Sequence, residues 1–218
     1  MIWVNFKTYK EASGNSAVKL ARICEAVSQA EQVVIIPVVQ AFDLYRVAKE
    51  VKLPVWAQHV DHLKQEANTG WLTVEALINA GGEGSLLNHS EKKLTNEIIG
   101  KTIKSLKKHK LKSLICSASV AEAQQLVKFK PDFLAYEPIE LIGSRVTSVS
   151  QAKPEIIEKM VKTFPGYSIV VGAGIHSTVD VIAALKLGAR GILVSSDVVL
   201  ADNPRDHLTR LALGFKKV

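Results

Sequence analysis

Eight short apolar runs recur along the chain, at residues 2–6, 33–36, 55–58, 84–88, 112–116, 133–137, 168–172 and 191–195. Each is nearly continuous in aliphatic and β-branched side chains and does not alternate with polar ones. Strands buried on both faces read this way, and a sheet covered on both faces is parallel. Stretches of helical period fill the intervals. Ala17, Leu20, Ala21, Cys24 and Val27 form one stripe. Ile98, Ile103 and Leu106 form part of a second, among lysines, and Val179, Ile182, Ala183 and Leu187 a third. Pro204 suits the first turn of a last helix running towards the end of the chain.

Eight strand–helix alternations imply either an eight-stranded barrel or a doubly wound sheet. The count of eight favours the barrel, so an α/β fold of (β/α)8 type is expected. The chain has 218 residues, short for such a barrel but within its range. No linker rich in Gly, Ser or Pro interrupts it, so residues 1–218 are expected to form a single domain.

Composition narrows the classes. Hydrophobic residues make up 47% of the chain, which allows a large core and argues against disorder. The net charge of +7 fits a nucleic-acid partner, an anionic substrate or a lysine-rich surface. Lys101, Lys104, Lys107, Lys108, Lys110 and Lys112 supply much of it. No aromatics interleave them, as nucleic-acid binding would want. They read as a solvated helix face, and no nucleic-acid partner is expected. Cys24 and Cys116 are too few for a disulfide framework and read as reduced core residues of a cytoplasmic protein. The opening MIWVNFK has no leader character, and no uncharged apolar run is long enough for a membrane span. His59, Asp61 and His62 have ligand-like spacing but no further clustered ligand, so no metal is expected.

In a (β/α)8 barrel, chemistry sits on the loops after the C-terminal strand ends. Those ends carry Asn5 and Lys7, Gln58 and His59, Asn88 to Glu91, Glu137 and Pro138, Gly172 to Gly174, and Ser195 and Ser196. A cation, a histidine, a carboxylate and two small-residue turns therefore meet on one rim. Glu137 precedes a proline, which favours extended backbone and points the carboxylate into the mouth. From position alone it reads equally as a general base or a solvated loop acid. His89 precedes Ser90 and Glu91, which read as the start of a helical turn. There a histidine would be held neutral and able to donate, although a packed or capping histidine is the plainer reading. Gly172 to Gly174 offers backbone N–H groups for an anion, or simply a tight turn.

Together these pieces resemble the triosephosphate isomerase family. The motifs are Asn5-x-Lys7, Asn88-His89-Ser90-Glu91, and Tyr136-Glu137-Pro138 with the following Leu-Ile-Gly-Ser. Ala57-Gln58-His59 and Gly172-Ala173-Gly174-Ile175 resemble its short archaeal type, and the likeness spans essentially the whole chain. The resemblance implies a TIM barrel that interconverts dihydroxyacetone phosphate and glyceraldehyde 3-phosphate without a cofactor. It implies that Glu137, His89 and Lys7 are catalytic, with Glu91 supporting. It implies that Asn5, Lys7, Ile142, Gly143, Gly174, Ser195 and Ser196 contact the substrate, residues 138–148 forming a mobile lid. It also implies that the aperiodic 59–72 loop docks into a partner subunit, with Thr69 and Gly70 at its tip, in a homodimer or homotetramer.

Three departures stand out. The lid continues from Gly143 with Ser144 and Arg145 where Gly-Thr-Gly is common. Ser195-Ser196 replaces a glycine pair, and Asp197 stands where glycine is frequent, so its carboxylate must point away from the phosphate. Two alternatives remain. Another phosphate-binding barrel isomerase or aldolase is one, although no strand offers a convincing Schiff-base lysine, Lys112 opening its strand at the wrong end. A basic nucleic-acid-binding barrel is the other.

Overall fold

The computed structural model describes residues 1–138 and 154–218. Its strands are β1 (Ile2–Asn5), β2 (Ile35–Val39), β3 (Trp56–Ala57), β4 (Gly84–Leu87), β5 (Lys112–Ser117), β6 (Phe133–Tyr136), β7 (Ser168–Val171) and β8 (Gly191–Val194). Each pairs in parallel with the next, and β1 pairs with β8, closing the barrel. The helices are α1 (Asn15–Glu31), α2 (Ala41–Glu50), α3 (Val74–Asn79), α4 (Asn96–Lys108) and α5 (Val120–Leu126), then α6 (Pro154–Thr163), α7 (Thr178–Lys186), α8 (Ser196–Val199) and α9 (Pro204–Leu213). No described helix is long and apolar enough to cross a membrane.

Strand alternation divides the core into two layers. Trp3, Ile36, Val38, Trp56, Leu86, Leu114, Cys116, Ala135, Val170 and Leu193 fill the barrel. The intervening residues, such as Ile2, Val4, Leu87, Leu134 and Ile192, pack outward against the helices. Rings plug the bottom: Trp3 meets Phe133 at 4.8 Å and Trp56 at 5.8 Å, both edge-on. The open end is the rim where polar residues follow the strands.

Most observed strands stop one residue short of the apolar runs, although the residues that end several of them, Phe6, Gln58, Glu137 and Gly172, still donate one hydrogen bond to the neighbouring strand. The second strand differs more, lying at Ile35–Val39 instead of 33–36. Its Pro37 is tolerated because β3 pairs only from Val38 onward, so no ladder donor is missed there.

The stripe read in α4 is buried at Ile103 and Leu106 but shifted from Ile98 to Ile99, whereas the third stripe, in α7, lies off the buried face. In α4 the buried set is Ile99, Thr102, Ile103 and Leu106. Thr102 completes the spacing because its hydroxyl donates to the Ile98 carbonyl at 2.8 Å. In α7 the buried set is Asp180, Val181 and Ala184, while Val179 is 64% exposed. Asp180 can be buried because it forms a reciprocal cap with Ser177. The α1 stripe is the one read from sequence, Ala17, Leu20, Ala21, Cys24 and Val27. The lysines of α4 lie on its exposed side.

Candidate active site

Asn5, Lys7, His89, Glu137, Gly174, Ser195 and Ser196 line one cleft at the C-terminal mouth. Leu141, Ile142, Gly143 and Ser144, the lid tip that the resemblance implies, and Arg145 beyond it lie outside the described residues.

Glu137 follows β6 directly. Phe133, Ala135 and Glu137 share strand parity, so the inward alternation that buries Ala135 carries Glu137 to the axis. Its N–H donates to the Ser117 carbonyl at 2.8 Å, extending the β5–β6 ladder one step. The residue is only 4% exposed. Its Oε2 is buried without a hydrogen-bond partner among the described residues. Burial pushes the carboxyl above its ordinary value, against the pull of His89, the Cys116 thiol, Lys7 and Lys93. The neighbouring strand end leaves it room: a Cβ on Gly172 would stand 2.4 Å from Glu137 Cγ.

His89 is 8% exposed and reaches the mouth by a backbone device. In β4, Leu86 faces inward and Leu87 outward, so regular alternation would send His89 out. Asn88 breaks the alternation with a left-handed φ of 59°. Its side chain holds that turn, donating to the Cys116 carbonyl and to Glu122 at 2.9 Å each and accepting the Leu94 N–H at 3.1 Å. Glu122 in turn accepts the Lys93 ammonium and the Ala118 N–H.

The helix start read at Ser90 and Glu91 is a turn instead, and α4 begins only at Asn96. The histidine is therefore not set by a helix terminus. The Glu91 N–H donates to His89 Nδ1 at 3.2 Å. Nδ1 thus carries a lone pair, and the ring proton lies on Nε2. That nitrogen faces Glu137 Oε1 at 3.7 Å, beyond hydrogen-bond range, so among the described residues its N–H is left for another acceptor.

Lys7 also has left-handed backbone, φ 46°. Asn5 Oδ1 accepts its N–H at 3.0 Å, and Gln58 donates to its carbonyl at 2.8 Å. Its ammonium meets Glu91 Oε1 at 2.8 Å. Glu91 is exposed, so this contact orients the lysine more than it stabilises the fold. It borders an adjoining hollow of ≈ 660 Å³ with Gln58, His59, Gly70 and Leu72. Gly174, with φ 60°, and Ser195 and Ser196, at the start of α8, form the two turns opposite. Lys112 stands at the other end of the barrel, paired with Asp132 at 2.9 Å.

Asp197, the departure noted in the sequence, lines the cleft. Tyr9 and Cys116 are neighbours that the sequence did not single out for the site. The Cys116 thiol neighbours the Glu137 carboxylate, and its own ionisation is pushed well up, by burial first and then by that carboxylate. The signal was present: Cys116 stands opposite Ala135 in the β5–β6 register, two residues before Glu137. His59 Nε2 lies 3.0 Å from Asp61 Oδ1, so that imidazole is engaged by a carboxylate.

A family model described as triosephosphate isomerase matches residues 1–211. Triosephosphate isomerase of Methanothermus fervidus is 41% identical, the match covering 97% of this chain and 96% of that one. The enzyme of Methanothermobacter thermautotrophicus is 40% identical over 97% and 93%. The crystal structure of triosephosphate isomerase from Bartonella henselae aligns with a TM-score of 0.75 at 17% identity, covering 99% of this chain and 98% of that one. At that identity the structural likeness speaks for the fold alone.

Proposed function

The chain belongs to the triosephosphate isomerase family, and we propose that Glu137 is its proton-transferring base, His89 its neutral hydrogen-bond donor and Lys7 its fixed cation. The enzyme is an isomerase interconverting dihydroxyacetone phosphate and D-glyceraldehyde 3-phosphate. Glu137 removes a proton from carbon 1 of the ketose, and the electron pair of that C–H bond moves towards the carbonyl oxygen. The resulting enediolate carries negative charge, which the His89 Nε2–H and the Lys7 ammonium stabilise. Glu137 then returns a proton to carbon 2, while the oxygen-1 hydroxyl gives up its proton and oxygen 2 gains one by way of His89 Nε2, which leaves the aldehyde at carbon 1 and the hydroxyl at carbon 2. The cycle balances on proton transfer alone and needs no metal or organic cofactor.

Burial suits Glu137 to this work, since a raised carboxyl is a stronger base once ionised. Backbone N–H groups of Gly174, Ser195 and Ser196 bind the phosphate, with Asn5 at the sugar end and Ile142 and Gly143 contributing from the lid. Glu91 supports the site by tethering Lys7. The observation that carries this reading is a buried, incompletely bonded carboxylate facing the Nε2 of His89 in the same cleft as Lys7.

A coupled assay with glyceraldehyde 3-phosphate tests it. Wild-type protein is expected to turn over and Glu137→Gln to lose at least about 10³-fold in kcat. Equal turnover by the two would remove Glu137 from the role. The enzyme acts as one domain of residues 1–218, is cytoplasmic, and forms a homodimer or, by pairing dimers, a homotetramer. The protruding loop supports assembly: residues 64–72 are exposed, with Trp71 among them. Phe42, 97% exposed, borders the hollow beside it.

A further inference from the structure

The cleft that takes the phosphate under the reading above has a carboxylate in its wall. Asp197 lines it beside Ser195 and Ser196. A fixed negative charge there repels a dianion, and a carboxylate oxygen competes for the N–H donors that a phosphate oxygen needs. The carboxylate is, however, already engaged. Asp197 Oδ1 accepts the Nδ1–H of His176 at 2.8 Å, from 21 residues earlier in the chain.

His176 sits in the loop between β7 and α7, and its backbone is fixed independently of Asp197. Asp180 Oδ2 accepts the N–H groups of His176 and Ser177, at 3.1 and 3.0 Å, and the Ser177 hydroxyl at 2.8 Å. The imidazole is thus presented from a rigid helix cap. Its Nε2 is buried with no hydrogen-bond partner among the described residues, so the bond to Asp197 is what orients the ring. His207 of α9 lies close enough to feel both members of the pair. Burial pushes its imidazole below the ordinary value, with Arg210 and His176 pushing the same way against Asp197 and Asp206.

Resting on the assignment of the phosphate to the turns at Gly174 and Ser195–Ser196, we propose that His176 is a positioning residue for phosphate binding. It ties the Asp197 carboxylate to the β7–α7 loop, away from the N–H groups of those turns, and screens its charge from the dianion. Loss of the imidazole frees that carboxylate beside the phosphate without touching Glu137, His89 or Lys7. The effect therefore falls on binding and not on the chemical step.

The test compares wild type, His176→Ala and the double variant His176→Ala with Asp197→Asn. The readouts are KM and kcat for glyceraldehyde 3-phosphate and the inhibition constant of 2-phosphoglycolate. His176→Ala is expected to raise KM and the inhibition constant about tenfold, the scale of one uncompensated charge near a dianion in a partly screened cleft, with kcat within about threefold. The double variant is expected to return both constants to within about threefold of wild type, because the charge is gone. His176→Phe fills the same space without a donor and carries the same expectation should the alanine variant not fold. Unchanged constants in His176→Ala would overturn the proposal, and so would a loss that Asp197→Asn does not repair. Wild-type enzyme that 2-phosphoglycolate fails to inhibit would remove the phosphate assignment and the proposal with it. Inhibited wild type with unchanged variants removes the proposal alone.

Discussion

As the proposed base, Glu137 combines two demands that pull against each other, because a base must be ionised to act while burial favours its neutral form. The conflict has a thermodynamic consequence whose sign follows from the raised carboxyl. The folded state holds the proton more tightly than the unfolded chain, so this group's contribution favours folding below the ordinary carboxyl range. That contribution is lost as pH rises through the raised value. Glu137→Gln removes the charge, so it is expected to unfold at a higher temperature than wild type at neutral pH. The advantage shrinks as pH falls through the raised value. Thermal unfolding of both proteins across pH checks this, and an advantage for wild type at neutral pH would contradict it. Reach is the second residue-scale demand. Glu137→Asp withdraws the carboxylate by one methylene, and misplacement by ~1 Å costs ~10²-fold in rate. Steady-state kinetics are therefore expected to show kcat lowered about 10²-fold with KM changed less than about fivefold. A large rise in KM with kcat unchanged would make Glu137 a binding residue.

Strands carry these side chains to the mouth, and the ends of strands decide the geometry. The Gly172 end of β7 makes room for Glu137. Gly172→Ala would put a methyl group against Glu137 Cγ, and the carboxylate is the more easily displaced partner. Folding is expected to survive, as judged by circular dichroism, with kcat lowered about 10²-fold; unchanged kcat would show that the strand end yields instead. This scale also separates what the sequence revealed from what it hid. Strands were legible because runs buried on both faces are nearly continuous in apolar residues, and Glu137 because Pro138 limits the backbone before it. His89 was legible as a candidate, but the cause of its orientation was not. The turn at Asn88 depends on Cys116, Glu122 and Leu94, none of which is local enough to be read. The α7 face was misread because a buried aspartate is acceptable only when a cap satisfies it. Asp197 was legible as an obstacle, but its engagement by His176 depends on two adjacent loops that only barrel closure brings together.

The closed sheet is what makes one site out of residues spread from Asn5 to Ser196, since each strand contributes its end to a common mouth. The fold class was readable because eight alternations fit few architectures, whereas assembly depends on surfaces that periodicity does not describe. The exposed 64–72 segment and Phe42 lead to the expectation that sedimentation at micromolar concentration gives at least twice the chain mass of 23.8 kDa. A species of one chain mass only would contradict assembly through this loop. The central claim is that a carboxylate carries the proton between carbons 1 and 2, and solvent isotope reports on it directly. A carboxyl exchanges its proton with water, whereas a hydride moving within the substrate does not. The decisive measurement is nuclear magnetic resonance of the product formed from dihydroxyacetone phosphate in deuterium oxide, with wild type and Glu137→Gln compared. The account predicts deuterium at carbon 2 of the glyceraldehyde 3-phosphate made by wild type, and neither isomerisation nor label from a folded Glu137→Gln that still binds 2-phosphoglycolate. Unlabelled product from wild type, or labelled product formed at the wild-type rate by Glu137→Gln, would contradict it.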